Sequence, residues 1–152
     1  MKIFLLLLPV ILLSQVVFGQ TDYKTYANAR YGYSISYPAD LLEPQGESDN
    51  GDGQVFKNSD AEMRVYGSNS VLDETLEKQY RKLLKNYGKS IAYKTFREKF
   101  FVVSAIRNDK IFYQKTFENS DGVFITFEIE YKKSERAKYD KAVTKIVKSF
   151  KI

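Results

Sequence analysis

The run from Val123 to Lys132 constrains the fold more than any other part of the chain. Val123, Ile125, Phe127, Ile129 and Tyr131 alternate with Phe124, Thr126, Glu128 and Glu130. A period of two marks a strand with one face in the core and the other outside it. Three more strand-like runs lead into it: Ile91–Arg97, Phe100–Ile106 and Lys110–Glu118. Asn108-Asp109 and Asn119-Ser120-Asp121-Gly122 separate the last of these from their neighbours, and such residues favour tight hairpins. Connections this short make neighbouring strands antiparallel.

Upstream the same period recurs. Tyr31, Tyr33, Ile35 and Tyr37 alternate with Gly32, Ser34 and Ser36 until Pro38 ends the run. Residues 39–53 contain Pro44, Gly46, Gly51 and Gly53 and read as a long surface loop. Residues 54–57 and 61–66 then form a hairpin across Asn58-Ser59-Asp60, with Ala61, Met63 and Val65 on one face.

Two segments carry the helical period instead. Leu72, Leu76, Tyr80, Leu83 and Tyr87 form one apolar stripe. Ser70 or Asp73 is placed to cap its start and Gly88 its end. Tyr139, Val143, Ile146 and Phe150 form a second stripe, with Ser134 as its expected cap. The outer faces hold Lys78, Arg81, Lys82, Lys85 and Lys89 in the first helix, and Arg136, Lys138, Lys141, Lys145 and Lys148 in the second. The expected class is α+β: a single antiparallel sheet of about six to seven strands with two amphipathic helices covering it.

The first residues stand apart from this pattern. Lys2 precedes an apolar run from Ile3 to Leu13, and Val17-Phe18-Gly19 suits signal-peptidase cleavage. The run is shorter than the roughly 20 apolar residues of a membrane span. No Cys follows it, which excludes a lipid anchor of the lipoprotein type. The expected organisation is a secretory signal peptide at 1–19, a polar N-terminal lead-in at 20–30 and a single α+β domain at 31–152. The location follows as exported, periplasmic or secreted, with no stable membrane span after signal removal.

With no Cys in the chain there is neither a disulfide nor a thiolate metal site, so stability must come from the core; aromatics make up 15% of the residues. The formal net charge is +5. A mildly basic surface suits acidic partners, and ordinary solubility accounts for it equally well.

Few residues are equipped for catalysis. His is absent, which removes catalytic triads, imidazole bases and His-ligated zinc. Glu128 and Glu130 share one face of a strand, about 7 Å apart by two strand rises. That spacing falls in the range of inverting glycosidases, but a solvated strand face balanced by lysines explains the pair more simply. The expectation is a protein that is not an enzyme, with no catalytic residues, no cofactor and no metal.

Two features are candidates for binding. Asp49, Asn50, Gly51, Asp52 and Gly53, following Ser48, form a compact polar turn. As an EF-hand-like loop it lacks strong ligands in either register. The readings that stand are a structural turn, a recognition loop and a cation site. The second feature is aromatic residues on the polar phase of their strands: Tyr66, Phe112 and Phe124. They are core if both sheet faces are covered, and a partner-binding groove if one is open.

The segments NARYGYSISYPADLLEPQGESDNGDGQVF and AEMRVYGSN resemble a family of exported bacterial proteins of unassigned function. Its marks here are the Asn28-Ala29-Arg30-Tyr31-Gly32-Tyr33-Ser34 strand motif, the Tyr37-Pro38 break, the Asn50-Gly51-Asp52-Gly53 loop and a strand ending Val65-Tyr66-Gly67. That family resembles the PsbP-like fold superfamily, an αβα sandwich. The superfamily includes an extrinsic photosystem protein, a Ran-binding import factor and bacterial envelope accessory proteins. The resemblance spans residues 28–69 and implies a binding or accessory module with no catalytic residues to carry over. The function expected is therefore a non-enzymatic exported module that contacts a protein partner in the cell envelope or outside the cell. The alternative is a carrier of a small apolar or anionic ligand in a pocket between sheet and helix. No nucleic acid is expected as a partner.

Overall fold

The alternating run from Val123 is the central strand of the molecule. A computed structural model describes residues 21–71 and 74–152. The predicted signal segment 1–19 and the helix positions Leu72 and Asp73 lie outside the described residues. The elements are β1 (Tyr23–Asn28), β2 (Tyr33–Pro38), β3 (Glu43–Glu47), β4 (Gly53–Lys57), β5 (Ala61–Asn69) and α1 (Leu76–Tyr87), followed by β6 (Ile91–Arg97), β7 (Phe100–Arg107), β8 (Lys110–Glu118), β9 (Val123–Lys132) and α2 (Arg136–Ser149).

Seven strands form one antiparallel sheet in the order β3-β4-β5-β9-β8-β7-β6. The Asn108-Asp109 hairpin is as expected: both residues take the left-handed backbone, with φ of 52° and 57°, the geometry of a type I′ turn. β9 closes the sheet by pairing with β5 from Ala61↔Tyr131 to Asn69↔Val123. Strand β5 thus neighbours the last strand instead of its successor in sequence, and α1 makes the crossover.

One face of the sheet is covered over β5 and β9, and a hollow of about 320 Å³ beside Tyr93 and Tyr113 remains at its β6–β8 end. Ala61, Met63 and Val65 of β5 and Ile125, Phe127, Ile129 and Tyr131 of β9 are buried beneath two layers. One is α2, through Tyr139, Ala142, Val143 and Ile146. The other is a separate two-stranded ribbon, β1 with β2, which lays Tyr33, Ile35 and Tyr37 onto the sheet. The chain end ties the ribbon down, with reciprocal backbone bonds of 2.9 and 3.0 Å between Ser34 and Lys151. On the opposite face α1 buries Leu76 against Phe101, Val103 and Phe124.

Several expectations need correction. Residues 20–30 are not only a lead-in: Tyr23–Asn28 is a paired strand, and the folded unit begins well before residue 31. The strand at Tyr33–Pro38 lies outside the main sheet, because its apolar face packs flat on the core instead of extending an edge. The expected long loop at 39–53 contains β3, which supplies the seventh strand of the sheet. That strand has no strong apolar residue and is exposed throughout, so pairing with β4 imposes its conformation. The cap of α1 is Thr75, whose side chain accepts the Lys78 N–H at 3.1 Å; the Ser70 hydroxyl instead donates to the Glu74 carbonyl at 2.7 Å. Ser134 sits within a short 3-10 turn, Lys133–Glu135, and caps nothing.

Candidate functional site

Ser48–Gly53 is the turn between β3 and β4. The Gly51 N–H donates to the Ser48 carbonyl at 2.8 Å, and the Ser48 N–H donates to the Gly53 carbonyl at 2.9 Å. Gly51 has φ of +66°, which an L residue adopts only at a cost. Gly53 is needed for a different reason. A Cβ there would collide with the Val65 carbonyl oxygen and the Tyr66 backbone of the adjacent strand.

The side chains of this turn are occupied with one another. The Ser48 hydroxyl donates to Asp52 Oδ1 at 2.7 Å, and the Asn50 amide donates to Asp52 Oδ2 at 2.8 Å. Both Asp52 oxygens are therefore engaged within the loop. Among the described residues no group of three carboxylate or other metal-ligating side chains is placed to hold one ion.

The turn is also held from outside. Buried Asn28 donates to the Gly51 carbonyl at 2.9 Å and to Glu47 Oε1 at 3.0 Å, while its own oxygen accepts the Tyr31 N–H at 2.9 Å. Arg30 donates to the Asn50 carbonyl. The Tyr33 hydroxyl reaches the Asp52 carbonyl at 3.1 Å. The loop is thus a rigid projection whose exposed tip is Asp49 and Asn50. Asn28 was missed as a functional position because it lies in the supposed lead-in. The signal that marks it is an Asn three residues before Tyr31 in the Asn-Ala-Arg-Tyr-Gly run, where Asx turns form.

This rigid turn borders the uncovered part of the second sheet face. Three adjoining hollows of about 420, 460 and 380 Å³ lie there. Arg64 and Glu128 line both of the first two, and Tyr66 lines the second and third. Together they make one groove running between the β3–β4 turn and α1. Its wall on the α1 side is an aromatic shelf. Tyr87 stacks on Phe112 with centroids 4.6 Å apart, and the Arg107 guanidinium lies 4.7 Å from the Tyr87 ring.

The groove floor is a ladder of charges across three strands. Arg64 pairs with Glu62 on its own strand, and its guanidinium lies 3.7 Å from Glu128 across the β5–β9 seam. Glu130 accepts from the Lys110 ammonium at 2.6 Å. Glu128 is the least exposed of these acids, with 22% of its side chain accessible. Burial pushes its carboxyl above the ordinary value; Arg64 opposes that shift, while Glu62 and Glu130 add to it. The Tyr66 hydroxyl is pushed up to about 12, chiefly by burial.

The structure separates the aromatic candidates. Phe124 is core beneath α1, whereas Tyr66 and Phe112 are half-buried and line the groove. Glu128 and Glu130 do share a face, each beside a cation. A half-buried carboxylate held by one long ion pair is stabilised by any N–H donor that enters. The groove is therefore suited to receive cationic or amide groups flanked by an aromatic ring. Arg64 was missed for a definite reason: its role depends on the pairing of β5 with β9, and its register partner Glu128 lies 64 positions away, which no local pattern reveals.

No family model matches the chain, and no curated protein matches it. The solved structures similar to it over nearly their whole lengths include the following two. The solution structure of cyanobacterial PsbP (CyanoP) from Synechocystis sp. PCC 6803 is 14% identical, with a TM-score of 0.64, covering 90% of this chain and 95% of its own. The Ran-binding protein Mog1p from Saccharomyces cerevisiae is 9% identical, with a TM-score of 0.58, covering 88% of this chain and 96% of its own. At such identities the likeness shows the fold: this is an α+β domain of the PsbP-like type.

Proposed function

We propose that this PsbP-like domain is a non-enzymatic, exported binding or accessory module that grips a protein partner in its open groove. The observation that carries the reading is the juxtaposition of Glu128, Arg64 and Tyr66 on an uncovered sheet floor beside a rigid turn. A floor of paired charges, one of them poorly solvated, with aromatic walls is the make-up of a recognition surface. One of the two similar structures is named as Ran-binding, which supports an interaction role without suggesting the same partner. The groove is open along its length, and that favours a macromolecule over an enclosed small ligand. Export rests on the N-terminal segment alone.

The test is site-specific photocrosslinking in cells. A crosslinking amino acid is placed at Val55 in the groove, at Asp49 on the turn and at Lys141 on the outer face of α2. The expected result is one discrete adduct from Val55 and Asp49 that is absent from Lys141 and lost when Glu128→Lys is added, with circular dichroism unchanged. The same adduct from all three positions, or none from the groove, overturns the assignment. N-terminal sequencing of the recovered protein checks export: Gln20 as the first residue supports it, and retention of Met1 refutes it.

A further inference from the structure

The charges of this chain are unevenly divided along its sequence. Residues 21–75, which build β1 to β5, contain ten carboxylates and four cations; residues 76–152 contain nine carboxylates and nineteen cations. Among the described residues, Lys82, Lys85, Lys89, Lys94, Arg97 and Lys99 form no ion pair with a carboxylate. All six belong to α1, β6 and the turns that flank β6.

Strand β6 is also one of the two edges of the seven-stranded sheet. An edge strand presents a row of backbone N–H and C=O groups that another chain can pair with. The opposite edge, β3, is guarded: Pro44 has no N–H to offer, Gly46 has φ of +96°, and the register shifts between Pro44 and Glu47. Strand β6 has no proline. It runs in regular register with β7 from Tyr93↔Ser104 to Arg97↔Phe100, the only irregularity lying between Ile91 and Tyr93. Phe96 anchors one side beneath Tyr80 of α1, with ring centroids 5.3 Å apart. On the strand's other side Tyr93 is 57% exposed, one of few large apolar side chains so exposed among the described residues. Lys94 and Arg97 lie on opposite faces of the strand by their register, so a cation borders the edge on each face.

We propose that the β6 edge receives an acidic, extended segment of a partner protein as an eighth strand, at a surface separate from the groove and independent of that assignment. Backbone pairing supplies the attachment, as in strand addition generally. Lys94 and Arg97, with Lys89 and Lys99 at the ends, attract carboxylates on the incoming strand, and Tyr93 packs against one of its side chains. The same cations repel basic strands and give neutral ones no charge attraction, so the edge favours acidic strands. A membrane surface fits less well, because lipid headgroups leave the strand's backbone groups without regular partners. A second copy of this chain fits less well too, since its acidic edge, β3, is interrupted by Pro44.

The test uses a fluorescein-labelled eight-residue peptide alternating Glu with Val, titrated with the chain lacking residues 1–19 at low salt and followed by anisotropy. Three companion probes are a Lys–Val peptide, the Glu–Val peptide N-methylated at alternate residues, and phosphatidylglycerol vesicles. Saturable binding of the Glu–Val peptide is expected, with the Lys–Val and N-methylated peptides at least tenfold weaker. Amide exchange across residues 92–97 should slow on binding. The exposed double variant Lys94→Glu, Arg97→Glu should weaken the Glu–Val peptide at least tenfold and strengthen the Lys–Val peptide, whereas Lys141→Glu on α2 should change neither. Equal binding of the N-methylated peptide, indifference to the charge reversal, or binding of vesicles without peptide would each overturn the proposal.

Discussion

The two faces of one sheet have been finished differently. Over β5 and β9 the first is sealed by a 14-residue helix together with a ribbon of two six-residue strands, and its floor there, from Ala61 to Tyr131, is buried. The second has a single 12-residue helix. A helix about 10 Å wide spans only about two strand spacings of ~4.8 Å, so α1 covers the β6–β8 end and leaves β4, β5 and part of β9 open. The same strand β9 therefore serves two ends. Ile125, Phe127 and Ile129 hold the fold together, while Glu128 between them lies in a groove.

The sharpest way to break this comparison is to truncate one residue on each face. Phe127→Ala on the sealed face removes a ring that is 1% exposed and should cost about 3–5 kcal/mol in urea unfolding. Val55→Ala on the open face should cost about 1 kcal/mol or less, because its methyls are only half removed from water. Equal losses would mean that the second face is packed like the first.

The clamp beneath the turn comes next in size. Asn28→Ala strips the Gly51 carbonyl and Glu47 of a donor and should cost about 1–3 kcal/mol. Amide exchange at Gly51 and Asp52 should quicken while that of β8 stays slow. A uniform change across the chain would show that Asn28 supports the whole fold and not the turn alone.

The smallest effect concerns pH. A carboxyl raised in the folded state keeps its proton to higher pH there than in the unfolded chain. Its contribution is thus fully present below the unfolded value and is lost as pH rises through the folded one. Glu128→Gln should therefore flatten the decline in stability as pH rises from the ordinary glutamate value of 4.5 toward neutrality. A slope unchanged by the substitution would show that Glu128 does not carry this dependence.

Much of the molecule was legible from local pattern. The bounds of β8 and β9, the Asn108-Asp109 turn, the end of α1 at Gly88 and the burial of Tyr139, Val143 and Ile146 all follow from period and turn chemistry. β1 and β3 did not, since YKTYAN and EPQGE carry no clean alternation of apolar residues. Each is a strand because a neighbour offers its backbone groups. The candidate turn was visible as a motif, but its stiffness was not, because Asn28, Arg30 and Tyr33 reach it from another sheet.

By itself the sequence determined which residues had to be buried and where the chain had to turn, because side-chain period and backbone preference act within a few residues. Tertiary structure alone decided that β9 returns to β5, that the Tyr33–Pro38 strand packs on the sheet instead of joining it, and that one helix leaves part of a face open. Those outcomes depend on how wide each covering layer is against the sheet it must cover, and on backbone groups finding partners far along the chain, and no local pattern encodes either.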